Sequence, residues 1–202
     1  MLGLQLPRSR FAHRPTRPFR YVVFLLATLA VLVVPAVALA AKGFTEEVAS
    51  ARWLISFRCP DGTTAADGRL IVETDNFIEA GTTPDPDPPL RVGFVGQCPD
   101  GTFSWGFVQP APTQFDPDLK NVSVSGTFAN VRDNRGGLHT VSVDARWTGT
   151  GPIKTTVNGP GSTRKERSAT ATATIVFDGN TLVDGVANFP FPAPFIRVDT
   201  EK

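Results

Sequence analysis

The chain has 202 residues, with 20 basic and 19 acidic side chains, and its net charge is +1. Five arginines and no acidic residue lie in residues 1–40, so the rest of the chain holds 15 basic and 19 acidic side chains. A domain with a net charge of −4 and singly scattered basic residues lacks the positive surface that nucleic acid requires. The composition therefore excludes a nucleic-acid-binding function.

The first 40 residues have the three parts of an export signal. Arginines up to Arg20 precede an apolar run that starts at Tyr21, and Ala38-Leu39-Ala40 places small residues where a signal peptidase cleaves. We predict that residues 1–40 are a signal peptide and that residues 41–202 form one secreted domain without membrane association. The alternative is an anchor formed by residues 21–41, since about 20 residues suffice to span a bilayer.

Residues 41–202 carry apolar side chains at alternate positions, which predicts strands with one buried face. In the first strand Trp53 and Phe57 share the apolar face, whereas Arg52 and Arg58 point the other way. The predicted strands are 51–59, 70–78, 92–98, 103–107, 122–131, 138–147, 168–177 and 182–189, with a weaker candidate at 153–157. Turn residues separate these eight or nine strands, so we predict an all-β, antiparallel β-sandwich, with a β-barrel as the alternative.

The sequence CPDGT occurs twice, at Cys59–Thr63 and Cys98–Thr102, and contains both cysteines of the chain. Proline at the second position and glycine at the fourth are typical of a tight hairpin turn. Each cysteine ends an incoming strand on its apolar face, so both sulfur atoms should point inward. In an exported protein this arrangement predicts a disulfide between Cys59 and Cys98.

The sequence offers little for catalysis. His139 is the only histidine after residue 40, and Asp144 follows it at an odd separation that places the two on opposite faces of a strand. No nucleophile motif accompanies them, so we interpret His139 as an ordinary polar residue near a turn. A hydrolase built on two distant carboxylates remains an alternative. We predict no cofactor.

The loop after the fourth predicted strand is a weak candidate for calcium. Asp116, Asp118 and Asn121 supply oxygen donors at short spacing. Calcium takes six to eight oxygen ligands, and this stretch lacks the glycine and terminal glutamate of a helix-loop-helix site. A second loop would have to complete such a site, so a rigid loop without metal is the preferred interpretation.

The segment 189–195 alternates phenylalanine with proline or alanine and places Phe189, Phe191 and Phe195 along one extended chain. Proline cannot donate to a strand ladder, so this segment should run along an edge or over one end of the sandwich. Packing onto the domain is one interpretation. The other is an exposed strip that binds a partner.

The sequence as a whole predicts an exported, non-catalytic β domain with a binding or structural role, whose partner is an unidentified extracellular or cell-surface molecule. The alternative is a β-barrel carrier for an apolar ligand, with a cavity lined by Phe94, Phe103, Trp105 and Trp147. Such a cavity would need about 300 Å³ or more.

Overall fold

The computed structural model describes residues 43–202, which form eleven β-strands and no helix. The strands are β1 Phe44–Arg58, β2 Thr64–Glu79, β3 Pro89–Cys98, β4 Gly101–Pro110, β5 Thr113–Phe115, β6 Asn121–Arg132, β7 Leu138–Gly149, β8 Lys154–Gly159, β9 Ser162–Phe177, β10 Asn180–Val186 and β11 Phe195–Glu201. The predicted signal peptide and the alternative anchor lie outside the described residues. In residues 43–202 no stretch forms an apolar helix of the length that a bilayer crossing needs.

All strand pairs are antiparallel and belong to one sheet that is not closed into a barrel. The order is β4-β3-β2-β1-β11-β9-β7-β6-β5, and β8 and β10 pair with β9 beside this path. Strand β9 joins the two halves of the sheet. Its residues Ser162–Ser168 pair with β11, whereas Ala169–Phe177 pair with β7.

The two halves of the sheet face each other across the core, as expected for a sandwich. Trp105 of β4 stacks on Phe177 of β9 at 5.1 Å between ring centroids, and Phe107 lies 4.5 Å from Phe128 of β6. The indole N–H of Trp53 in β1 donates to the carbonyl oxygen of Gly185 in β10 at 3.3 Å. The predicted all-β, antiparallel, layered architecture is therefore confirmed, with eleven strands in place of eight or nine.

The predicted disulfide is confirmed. Cys59 and Cys98 are bonded, with their Cα atoms 5.9 Å apart and 39 positions apart in sequence. Glycine takes a positive φ in both copies of the turn, 87° at Gly62 and 119° at Gly101, as the motif requires. Pairing between β2 and β3 ends at Val95, so the last residues of β3 lie beyond that ladder and the disulfide joins them to the end of β1.

Strand β11 follows the proline-rich segment and was not expected. Its charged side chains pair with one another and with β9, since Asp199 contacts Arg164 at 2.7 Å and Arg197 at 2.8 Å. The last predicted strand, 182–189, ends at Val186 in the structure. Beyond it the side chain of Asn188, instead of the backbone, bonds both the N–H and the carbonyl of Leu54 in β1.

Candidate functional site

Asp133 organises the turn between β6 and β7. Its Oδ1 accepts the backbone N–H of Arg135 at 2.8 Å and that of Gly137 at 2.7 Å, and its side chain is 7% exposed. Asparagine and aspartate commonly build turns by bonding the backbone two residues ahead. The second carboxylate oxygen of Asp133 is left free to reach a side chain on β7.

That side chain is His139, which lies between two carboxylates. Its Nε2 is 3.0 Å from Oδ2 of Asp133, and its Nδ1 is 2.7 Å from Oδ2 of Asp178 in the turn between β9 and β10. The other oxygen of Asp178 accepts the N–H of Thr140 at 2.8 Å, and the imidazole packs on Phe177 at 4.4 Å. We call Asp133, His139 and Asp178 the Asp-His-Asp clamp. His139 is therefore more than the ordinary turn residue that the sequence indicated.

The clamp favours a protonated imidazole between two ionised carboxylates. Burial alone would lower the pKa of His139, but its hydrogen bonds to Asp133 and Asp178 together raise that pKa above the usual value. The bond to His139 is the main reason why the pKa of Asp133 is lowered. Burial opposes ionisation of Asp178, but the Thr140 N–H and then His139 outweigh it, so the pKa of Asp178 is also lowered.

The clamp is part of a polar network that joins three hairpin ends. The guanidinium of Arg135 donates to both carboxylate oxygens of Asp100, at 2.6 and 2.7 Å. The side chain of Asn134 bonds the N–H of Ser104 and the carbonyl of Thr102 on β4. The β3–β4, β6–β7 and β9–β10 turns are therefore held together by hydrogen bonds, next to the disulfide.

The stability of the protein should fall as pH rises through the titration of His139. The folded state holds this proton more tightly than the unfolded chain, whose histidine pKa is about 6.5. The stabilisation is thus fully present below pH ~6.5 and is lost as pH rises through the higher folded pKa. Urea unfolding of the wild type at a series of pH values should show this decline, and His139→Gln should not. Equal slopes in both proteins would contradict the role of His139.

Every side-chain nitrogen and oxygen atom of the clamp has a hydrogen-bond partner in the structure. Both imidazole nitrogens of His139 already bond carboxylates, so a substrate would have to displace one of these contacts to reach the imidazole. The oxygens of Asp133 are all used by the turn and by His139. The clamp therefore joins the β6–β7 turn, β7 and the β9–β10 turn through hydrogen bonds.

Of the calcium candidates, Asp116 and Asp118 lie in the loop between β5 and β6, and Asn121 is the first residue of β6. Oδ1 of Asp116 accepts the N–H of Asp118 at 3.1 Å, and Asp118 pairs with Lys120 at 3.1 Å. The N–H of Asp116 donates to the carbonyl of Asn121 at 2.9 Å. These contacts close the loop on itself, and no group of three or more His, Cys, Asp or Glu side chains in residues 43–202 is placed to hold a metal ion.

A groove of about 390 Å³ lies on the outer face of β1, β2 and β3. The register aligns Arg52 with Ile71, Ile71 with Gly93, and Gly93 with Gly106 on β4. Neighbouring positions of these strands, Trp53, Leu70 and Phe94, are buried in the core, so the alternate positions face outward. We call this depression the arginine groove; its outward side chains are Arg52, Arg69, Ile71, Val95 and Phe189.

The two arginines of the groove have no acidic partner among residues 43–202. Nε of Arg52 is buried without any hydrogen-bond acceptor, and the guanidinium of Arg69 lies 5.8 Å above the ring of Phe189. Arg91, one row along the same face, is instead within 3.9 Å of Glu73 and 3.7 Å of Asp75. The groove is therefore the part of this face where positive charge is not balanced.

The three phenylalanines of the predicted strip differ in their surroundings. Phe189 is half-buried at the groove, and its N–H donates to the carbonyl of Arg52 at 3.3 Å. Phe195 is half-buried in β11, with the guanidinium of Arg197 5.7 Å from its ring. Phe191 is 82% exposed. The free apolar surface of the strip is thus concentrated in Phe191, two residues beyond the groove.

The four aromatic residues expected to line a carrier cavity are core residues. Phe94 stacks on Trp105 at 5.7 Å and contacts Phe103 at 6.2 Å, while Trp147 is fully buried. Trp105 in turn stacks on Phe177. Phe94 and Trp105 also border the arginine groove.

Sequence reasoning missed Asp133, Asp178, Arg52 and Arg69 as a set of functional candidates. Both aspartates start turns rich in glycine and asparagine, and this is the one signal that could have placed them beside strand ends. The arginines gave no comparable signal, because the groove depends on which residues become neighbours across three strands. A scan against protein-family models and searches of curated proteins and of solved structures found no match to this chain.

Proposed function

We propose that this protein is exported, remains outside the cytoplasm and acts there by binding, without catalysing a reaction. The export signal in residues 1–40 and the disulfide support this location, because disulfides persist in oxidising compartments. We propose the secreted form, with a cell-surface protein anchored through residues 21–41 as the alternative. In either form, the partner is an extracellular or cell-surface molecule.

The exposure of Phe191, two residues along the chain from the groove residue Phe189, is the observation that carries this proposal. A phenylalanine that is 82% exposed contributes apolar surface that folding does not bury. Aromatic side chains and arginines are the residue types enriched where proteins bind their partners. Phe191 lies two residues along the proline-rich segment from Phe189, and Phe189 contacts the guanidinium of Arg69 and the backbone of Arg52.

The alternatives receive less support. A carrier needs an internal cavity, and the aromatic rings predicted to line one pack on each other. A carboxylate hydrolase needs two acidic groups that are free to meet a substrate. Asp133 and Asp178 approach the same imidazole, but their oxygens bond backbone N–H groups and His139.

Replacing Phe191 should remove partner capture without affecting the fold. The protein is immobilised and exposed to extracellular material, and the same material is applied to Phe191→Ser and to Val157→Ser. Val157 of β8 is 73% exposed and lies outside the groove, so it is a matched control. We expect molecules retained by the wild type and by Val157→Ser to be lost from Phe191→Ser. Equal retention by all three proteins would contradict a binding role for this face.

A further inference from the structure

The arginine groove combines an open apolar floor with two positive walls. Gly93 and Gly106 are direct neighbours across β3 and β4, so two adjacent positions of the outer face carry no side chain. Ile71 and Val95 flank them, and Val95 is 43% exposed. The resulting depression of about 390 Å³ lies within the size range of small-molecule sites.

Arg52 has an unsatisfied donor at this place. Its Nε is buried from solvent and has no acceptor among the described residues. A buried N–H without an acceptor destabilises a fold, and native structures usually avoid it. An acceptor that enters the groove would satisfy this donor once the Arg52 side chain turns toward it. The unbalanced charge of Arg52 and Arg69 means that an anionic acceptor is favoured over a neutral one.

We propose that the arginine groove binds a small organic acid, whose carboxylate is held by Arg52 and Arg69 and whose apolar body packs on Ile71, Val95 and Phe189. Guanidinium groups match the planar carboxylate and can donate two parallel hydrogen bonds to it. The contact of Arg69 with Phe189 restricts its guanidinium before a ligand arrives. This inference rests on the proposal that the protein acts by binding, and it specifies the class of ligand.

The contrast with Arg91 indicates that unpaired positive charge is specific to the arginine groove and is not a general property of this face of the sheet. Arg91 has two acidic neighbours on β2, Glu73 and Asp75. Arg69 faces outward on the same strand as these two acids, but no carboxylate in residues 43–202 forms an ion pair with it. A fully hydrophilic anion would gain little from the floor of the groove. The ligand should therefore be both anionic and apolar.

Phenylacetate is a suitable probe because it has one carboxylate on an aromatic body. The full chain, labelled with ¹⁵N, is titrated with phenylacetate, with its uncharged amide phenylacetamide, and with acetate, which lacks the ring. We expect saturable shifts of the Gly93 and Gly106 amide signals with phenylacetate, and affinities at least about tenfold weaker for the other two compounds.

Single substitutions of arginine identify which side chains bind the carboxylate of phenylacetate. Arg52→Gln and Arg69→Gln should each weaken phenylacetate binding by about tenfold or more, since each removes a charge-assisted contact. Arg91→Gln is the control, because Arg91 lies on the same face but pairs with Glu73 and Asp75. This variant should bind phenylacetate as tightly as the wild type does. Circular dichroism on all three variants shows whether each is folded. If Arg52→Gln does not fold, the test of the carboxylate contact rests on Arg69→Gln alone. Arg69 is exposed, so its substitution should leave the fold intact.

Three outcomes would overturn the inference: no saturable shift at Gly93 and Gly106 with phenylacetate, equal affinity for phenylacetamide, or equal loss in Arg91→Gln. Binding of a peptide with an acidic side chain in preference to phenylacetate would also overturn it, because the groove would then serve a protein partner. These results are separable from the Phe191 experiment. If capture depends on Phe191 while phenylacetate fails, the binding role stands and the ligand class is wrong.

Discussion

Removal of the Cys59–Cys98 disulfide is expected to lower the free energy of unfolding by about 4 kcal/mol. The bond closes a loop of 39 residues, and in the chain-entropy description a loop of this length restricts the unfolded chain by about that amount. The total stability of a domain is about 5–15 kcal/mol, so this is a large fraction. Urea unfolding of Cys59→Ala/Cys98→Ala against the oxidised wild type measures the difference.

The structure gives a further reason for a large effect. The end of β3 lies beyond the β2–β3 ladder, so the disulfide is its covalent link to β1. Wild-type protein unfolded in the presence of a reductant should match the double variant within about 1 kcal/mol. An unfolding midpoint that does not change on reduction would contradict this assignment.

Asp133→Ala is expected to lower the free energy of unfolding by about 1–3 kcal/mol. The substitution leaves the N–H groups of Arg135 and Gly137 without their acceptor and leaves His139 with one carboxylate. The N–H of Gly137 is part-buried, and a donor left unsatisfied away from water costs about 1–3 kcal/mol, whereas the exposed N–H of Arg135 can bond water instead. The side chain of Asp133 is 7% exposed, so its contact with His139 is shielded from water.

Asp144→Ala is the matched control for this substitution. Asp144 is on β7 like His139, but its side chain is 55% exposed and its contact with Arg146 is 3.5 Å. Exposed ion pairs of this kind contribute at most about 1 kcal/mol. Asp133→Asn should fall between the two, because its amide oxygen can still accept the turn N–H groups but carries no charge for His139. Equal losses in Asp133→Ala and Asp144→Ala would contradict the clamp.

The disulfide and the layered β architecture could be predicted because both depend on local patterns. Alternating apolar residues indicate which side of a strand is buried, and Cys59 and Cys98 fall on that side at the ends of two strands. The turn motif that follows each cysteine fixes where the strand ends. The pairing then follows from two inward thiols in an exported chain.

The clamp could not be predicted, because Asp178 is 39 residues beyond His139 and reaches it only through the β7–β9 pairing. Within one strand, the alternation rule correctly separated His139 from Asp144. It carries no information about residues on neighbouring strands.

The arginine groove depends on register in the same way. Arg52, Ile71 and Gly93 lie on three strands, and only the pairing of β1 with β2 and of β2 with β3 makes them one row. Strand β11 was missed for a different reason. Its charged residues resemble a solvated tail, whereas in the structure Arg197 and Asp199 pair with each other between β1 and β9.

The side-chain Nε–H signal of Arg52 in ¹⁵N-resolved spectra reports most directly on whether the arginine groove takes an anionic ligand. This N–H is buried and has no acceptor among the described residues, so it should resonate as a free donor in the protein alone. On addition of phenylacetate we predict a downfield shift that saturates together with the Gly93 and Gly106 amide signals. A signal that stays unchanged while phenylacetate is added in excess would contradict the account.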